Sequence, residues 1–380
     1  MNIAFYIGEM NFRGVVTSTY NYAFYNEKIL KNKSVIFYDN KNKLNKNEVI
    51  KKFKKNFKMI GINNFFKIEK YKKKLDINYV YIQKGANNNW TLKKINTIVH
   101  SVYPQKFKDI HGNSYAYISE WLSKKFSNYK ISYVPLILEL NKTKKNLKKE
   151  LKINKNQIVF GTHGGESSFD LQFVKDTVFY LAKIRKDITF VFLNINKFIN
   201  HPRVIFLKGT SNDIYKKKFL NTCDAMLYGR SLGESFGLAC GEFSILGKKI
   251  ISYKFNRHKS HKFNLNNKNY IEYSSKNNLF QILNSFKKNK KSNILLKVNK
   301  YTNCNSRKVM KKFNEVFLKK NNISPFTYLD YFINYLNFLF MNYNYIRHKI
   351  YDHYYKYFES KFIFKKDWII KKKLIIMTGN

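Results

Sequence analysis

Arginine, cysteine and acidic side chains are all scarce in this chain of 380 residues, and each shortage excludes something. The three cysteines, Cys223, Cys240 and Cys304, build no disulfide framework and have no metal-ligand spacing, which fits a reducing compartment. Acidic residues number 24 against 72 basic ones, a formal charge of +48, so the surface attracts anions. Only seven of the basic residues are arginine, however, and specific phosphate and base readout favours the arginine fork. The lysines run along the whole chain beside Asn, Ile, Phe and Tyr, the residues of AT-rich codons. Specific nucleic-acid binding is therefore not expected, while acidic membrane, polyanionic glycan and RNA remain anions that the charge attracts. No run of about 20 apolar residues exists, so no membrane-spanning helix is expected. Residues 3–8 read as a strand without a basic n-region or an apolar h-region, so no leader is expected and the expected location is cytoplasmic.

The chain does have hydrophobic content, at 44%, enough for a globular protein with two domains of ordinary size. Strand patterns fall at 3–8, 34–38, 59–62, 78–83, 97–102 and 115–119, with helical patterns between most of them. A Lys/Asn-rich segment, 141–157, reads as a linker. A second series follows at 158–161, 188–194, 204–208, 225–228 and 249–253. Alternation of this kind predicts an α/β protein with two Rossmann-like, doubly wound domains facing across a cleft, 1–140 and 158–322.

One stretch, 223–242, is the most informative. It reads as a buried strand over 225–228, a glycine-containing turn, and a helix opened and capped by Ser235, with Ala239, Phe243 and Leu246 facing the core. The amides around Ser235 to Leu238 then offer an anion site at a helix N-terminus. Glu234 precedes the helix and Glu242 lies about two turns along it. A phosphate held between two carboxylates implies a ligand with hydroxyls on both sides, the shape of a nucleotide-sugar.

The spelling Gly233-Glu234-Ser235-Phe236-Gly237 resembles the retaining glycosyltransferases of family 4, which have the two-domain GT-B fold. The resemblance covers roughly residues 1 to 320 and is strongest after 158. It implies that Glu234 contacts the donor sugar and Glu242 the nucleotide ribose, with the Phe236, Gly237 and Leu238 backbone beside the diphosphate. The donor is then a UDP- or GDP-linked sugar and the acceptor a glycan, lipid or protein. No further cofactor and no metal are expected. The same resemblance makes Gly14, after the first strand, a close-approach residue, with Arg13 as a charge partner in a loop facing donor and acceptor. His100, at the end of the strand 97–102, is the expected sugar-contacting histidine, with His111 as its rival. At the start of the second domain, His163 and Gly164 are counted among the donor-binding residues.

This chain departs from the family at that last point. Relatives often carry Gly-Arg at this strand end and a lysine six residues beyond the arginine, two cations for the diphosphate. Here Thr162 and Ser168 stand in those places. Arg230, just before the Glu234 loop, is the expected replacement, with Lys175 or Arg13 as a second cation. The alternative is a catalytically weak or inactive GT-B protein that binds polyanions or glycans.

Residues 323–380 differ from the rest, being crowded with Tyr, Phe, Leu and Asn. A helical extension packed on the core or a partner is the expected form. An amphipathic membrane-surface helix, flanked by Lys365, Lys366, Lys371, Lys372 and Lys373, is the competing one.

Overall fold

The computed structural model describes residues 1–84, 90–288, 299–319 and 325–355. Strands that are apolar almost throughout bury both faces, and such strands assemble in parallel beneath covering helices. Six of them, β1 (Asn2–Ile7), β2 (Lys33–Asp39), β3 (Lys58–Ile62), β4 (Ile77–Lys84), β5 (Asn96–Ser101) and β6 (Ser114–Tyr117), form the first sheet. Its order is β3-β2-β1-β4-β5-β6, and every pair is parallel. Helices α1 (Gly14–Lys28), α2 (Asn47–Lys54) and α3 (Glu120–Ser127) belong to this domain.

The second sheet joins β7 (Ile158–His163), β8 (Ile188–Leu193), β9 (Val204–Leu207), β10 (Ala225–Tyr228), β12 (Lys249–Tyr253) and β14 (Tyr270–Tyr273). Their order is β14-β12-β10-β7-β8-β9, again wholly parallel. Between them run α4 (Gln172–Ile184), α5 (Asp213–Thr222), α6 (Leu238–Ser244), α7 (Ser260–Asn264) and α8 (Lys276–Asn284). A two-residue pair, β11 (Gly233–Glu234) with β13 (His258–Lys259), stands apart from both sheets. The doubly wound pair of domains is the architecture expected. All eleven expected strands are present, and β14 was not foreseen: it is short, at the sheet edge, and buries only one of its four residues fully.

Two expected boundaries shift. Residues 141–157 are not a free tether, because Leu147 and Ile153 are buried with the second domain's core and the Leu147 amide donates to Thr222 Oγ1 at 2.8 Å. The second domain also does not own the chain as far as 322. Helix α9 (Ser306–Phe313) and residues 314–319 return to the first domain, where Phe313 packs on Tyr22 and Tyr81 and the Phe317 carbonyl accepts from Ser114 Oγ at 3.1 Å.

The last described element, α10 (Tyr328–Tyr354), starts with a capping box between Thr327 and Asp330 and lies across both domains. Lys130 reaches Asp330 at 2.5 Å, and Asn334 donates to the Phe126 carbonyl at 2.8 Å, both contacts with the first domain. Further along, Arg257 of the second domain donates to Asn342 Oδ1 at 3.0 Å, and Tyr355 is fully buried with its hydroxyl bonded to Asp176. The extension is thus helical and packed, as expected. Residues 356–380, with the lysine run, lie outside the described residues.

Candidate active site

The carboxyl ends of both sheets open on one cleft of about 580 Å³, lined by the two facing domains. Glu234 is held there by backbone. Gly233 pairs with His258 in the β11–β13 ribbon and has φ +73°; a Cβ at that position would stand 2.0 Å from the His258 carbonyl oxygen, so no side chain fits. The preceding loop is tied down by Asn256 Nδ2, which donates to the Arg230 carbonyl at 2.6 Å, and by Asp170, which accepts from the Ser231 amide at 2.7 Å. The Glu234 carboxylate is left half-buried. Its Oε1 accepts from the Tyr228 hydroxyl at 2.8 Å and lies 3.3 Å from Arg230 Nη1. Burial opposes the guanidinium charge of Arg230, but the Glu234 carboxylate overrides this and raises its pKa above the ordinary arginine value.

Glu242 is held by side chains instead. It projects from α6 with only 4% of its surface exposed, 2.6 Å from Lys216 Nζ through Oε1 and 2.8 Å from His163 Nε2 through Oε2. Burial pushes its carboxyl pKa up, and Lys216 and His163 outweigh that to hold it down at about 2. The Lys216 ammonium is destabilised by its own burial and then raised above the usual lysine value by Glu242. A buried ion pair of this kind costs desolvation, and removing one partner strands the other charge. The arrangement leaves Glu242 charged across the physiological range.

Helix α6 begins later than expected. Its first helical residue is Leu238, and its N-cap is Gly237 with no side-chain cap bond, so Ser235 does not open the helix. Gly237 takes φ +90°, ψ 61°, a left-handed turn that favours glycine. The Tyr301 hydroxyl, donating to the Phe236 carbonyl at 2.6 Å, holds that turn in place. Phe236, Gly237 and Leu238 all face the cleft, and Gly14, the first residue of α1, faces them from the other domain. A Cβ on Gly14 would stand 3.2 Å from Leu238 Cδ1, so the close approach expected at Gly14 is an approach between domains.

Thr162, His163, Gly164 and Ser168 line the same cleft, and Thr162 and Ser168 add no charge to it. Among the described residues, Arg13, Lys52, Lys216 and Arg230 are the lining cations, and Asp170, Asp213, Glu234 and Glu242 the lining carboxylates. A chain of formal charge +48 therefore has a cleft with balanced charge. Each cation already has a carboxylate: Arg13 has Glu9 at 3.2 Å and Lys52 has Asp213 at 2.9 Å, beside the two pairs above. The Lys52 pair spans the domains, as does Glu48, whose Oε1 accepts from the Ser211 amide at 2.6 Å and the Ser211 hydroxyl at 2.7 Å. Lys175 is not in the cleft; its ammonium lies 5.7 Å from the Phe198 ring centre.

His100 does not reach the cleft either, which corrects its expected role. It is fully buried among Tyr22, Tyr81 and Phe317. Its Nε2 donates to the Val134 carbonyl at 2.8 Å, so Nδ1 accepts from the Tyr81 hydroxyl at 2.7 Å. Burial lowers its pKa to about 3, leaving a neutral structural histidine. The side chain of β5 that points to the core, rather than the strand end itself, decided its place. The rival His111 packs by Tyr115 with Nδ1 2.9 Å from the Asp109 carbonyl, also outside the cleft lining. Sequence reasoning missed Lys216, Tyr228 and Lys52 as site residues. Lys216 sits 26 residues before Glu242 on another helix, and no local spacing links them.

No family model matches this chain, and no curated protein sequence does. Solved structures match across most of its length. HepE of Anabaena in complex with UDP and glucose superposes with a TM-score of 0.61 at 12% identity, over 83% of this chain and 98% of that one. A glycosyltransferase from Rickettsia africae gives 0.54 at 14% identity, over 90% and 98%. The UDP-GlcNAc 2-epimerase of Neisseria meningitidis bound to UDP-GlcNAc gives 0.55 at 11%, over 84% and 100%. Identities this low establish the fold alone, the two-domain architecture that these structures, transferase and epimerase alike, share.

Proposed function

We propose that the protein is a retaining glycosyltransferase that moves a sugar from a UDP- or GDP-linked donor to a glycan, lipid or protein acceptor. The observation that carries this reading is that Glu234 and Glu242 line one interdomain cleft on either side of the Phe236–Gly237–Leu238 turn. HepE, of like fold, is described with UDP and glucose, and with UDP-glucose.

In this reading Glu234 accepts hydrogen bonds from donor sugar hydroxyls and Glu242 from the ribose hydroxyls. Carboxylate oxygens that only accept hydrogen bonds suit diol ligands. The diphosphate lies along the α6 turn, with His163 and Gly164 on one side and Gly14 and Arg13 facing it. During transfer the bond between the anomeric carbon and the diphosphate oxygen breaks. The acceptor oxygen bonds to that carbon on the same face, and its proton passes to the departing diphosphate. The protein contributes position and charge, and no side chain need become covalently attached. Arg230 is the cation placed to meet the developing charge, drawn from its contact with Glu234. No further cofactor is required for this transfer.

Thr162, Ser168 and the carboxylate-paired cations favour a second reading, a GT-B protein that grips polyanions or glycans without turnover. Incubation with a panel of UDP- and GDP-sugars and candidate acceptors separates the two. Donor consumption giving a product of unchanged anomeric configuration, read by proton NMR, supports transfer. No turnover, together with salt-sensitive RNA binding, supports the second reading.

A further inference from the structure

Helix α10 has two opposed faces, one buried against the two domains and one largely exposed. Asn334, Met341, His348 and Tyr355 are buried, spaced seven residues apart along the contact with the two domains. Leu329, Phe332, Phe340, Tyr343, Ile346 and Ile350 are each 55–66% exposed. At 3.6 residues per turn these six fall within an arc of about 120°, roughly opposite the buried line, and span about 30 Å of helix. An apolar patch of that size on a folded surface marks a docking site.

We infer that this face lies in the headgroup region of an anionic membrane. Charge selects this occupant over a second copy of the chain. The carboxylates of α10 do not oppose an anionic surface: Asp330 is paired with Lys130, and Asp352 is half-buried on the C-terminal turn. Lysines flank the apolar face instead. Lys125 Nζ lies 6.0 Å from the Phe340 ring centre, and Lys349 Nζ 5.4 Å from that of Tyr345. The sequence that continues from the helix, 356–380, adds seven lysines against two acidic residues. Two copies at +48 repel each other, whereas an anionic bilayer attracts the same charge. No helix among the described residues is long and apolar enough to cross a membrane, so the helix lies on the surface rather than spanning it. Tyrosine and phenylalanine are the side chains suited to that depth. The inference is independent of the transferase reading, since it concerns a face on the opposite side of the helix from its contacts with the two domains.

The test is co-sedimentation of the full chain with vesicles of phosphatidylcholine containing about 30% phosphatidylglycerol, and with phosphatidylcholine alone. The triple variant Phe332→Glu, Phe340→Glu, Ile346→Glu changes exposed positions only. The expected result is salt-sensitive binding to the anionic vesicles, at least tenfold weaker in the variant, with melting temperature and solution mass unchanged. Failure of the unmodified protein to bind the vesicles overturns the inference. So does equal binding by the variant, or a dimer of the unmodified protein that the variant converts to monomer.

Discussion

Lys216 and Glu242, carried on separate helices, meet at 2.6 Å in the wall of the cleft, where the ammonium holds the buried carboxylate in its charged form. Their dependence on each other gives the first prediction. Lys216→Met leaves Glu242 without its strongest partner and is expected to cost about 3–5 kcal/mol of stability, as for other buried pairs broken on one side. The double variant Lys216→Met, Glu242→Gln is expected to recover part of that loss. Urea unfolding of the unmodified protein, Lys216→Met, Glu242→Gln and the double variant measures the coupling.

The same pair sets a pH dependence. The Glu242 carboxyl is lowered from its reference value of 4.5 to about 2 in the folded protein. A depressed folded pKa contributes stability that is complete above the unfolded value and is lost as pH falls through the folded one. The expected window is therefore between pH 4.5 and about 2. Within it the unfolding free energy of the unmodified protein should fall more steeply than that of Glu242→Gln, which lacks the titrating group.

Gly233 tests how Glu234 is held. Gly233→Ala forces a side chain into φ +73° and against the His258 carbonyl. The left-handed conformation alone costs about 1–2 kcal/mol, and displacement of the ribbon adds to it. The expected outcome is a lower melting temperature together with weaker donor binding, read by thermal shift with and without nucleotide-sugar.

Ser168 tests the missing diphosphate charge. Ser168→Lys returns a cation to the cleft wall without removing an existing pair. Affinity for a nucleoside diphosphate is expected to rise about tenfold, equivalent to roughly 1.4 kcal/mol. Unchanged affinity would place the diphosphate elsewhere.

Lys52 and Glu48 connect the domains at the rim of the cleft. Because both lie near the surface, Lys52→Ala with Glu48→Gln should change stability by no more than about 1 kcal/mol. It should nevertheless favour an open arrangement of the two domains, seen as a larger radius of gyration in small-angle scattering.

Periodicity made most of this architecture legible. Strands such as β1 and β8 are apolar along nearly their whole length, and that pattern marks a doubly buried parallel strand from sequence alone. Glu234 and Glu242 were legible because the spacing between them is local. The start of α6 was not, because it depends on a left-handed Gly237 fixed by Tyr301, a residue 65 positions away from Phe236. His100 was misplaced for a related reason: position at a strand end does not say which way a side chain points, and here Tyr81 and the Val134 carbonyl receive it. The return of Phe313 and Phe317 to the first domain is likewise a tertiary fact, with no signature in local composition.

The proposed activity depends on the cleft binding a nucleotide-sugar through Glu242. Titration calorimetry with a panel of UDP- and GDP-sugars, on the unmodified protein and on Glu242→Gln, measures this. At least one donor is expected to bind with Kd below about 1 mM, and the variant, still folded, to bind it at least tenfold more weakly. Absence of binding across the panel, or equal affinity in the variant, would rule out a donor site built on Glu242.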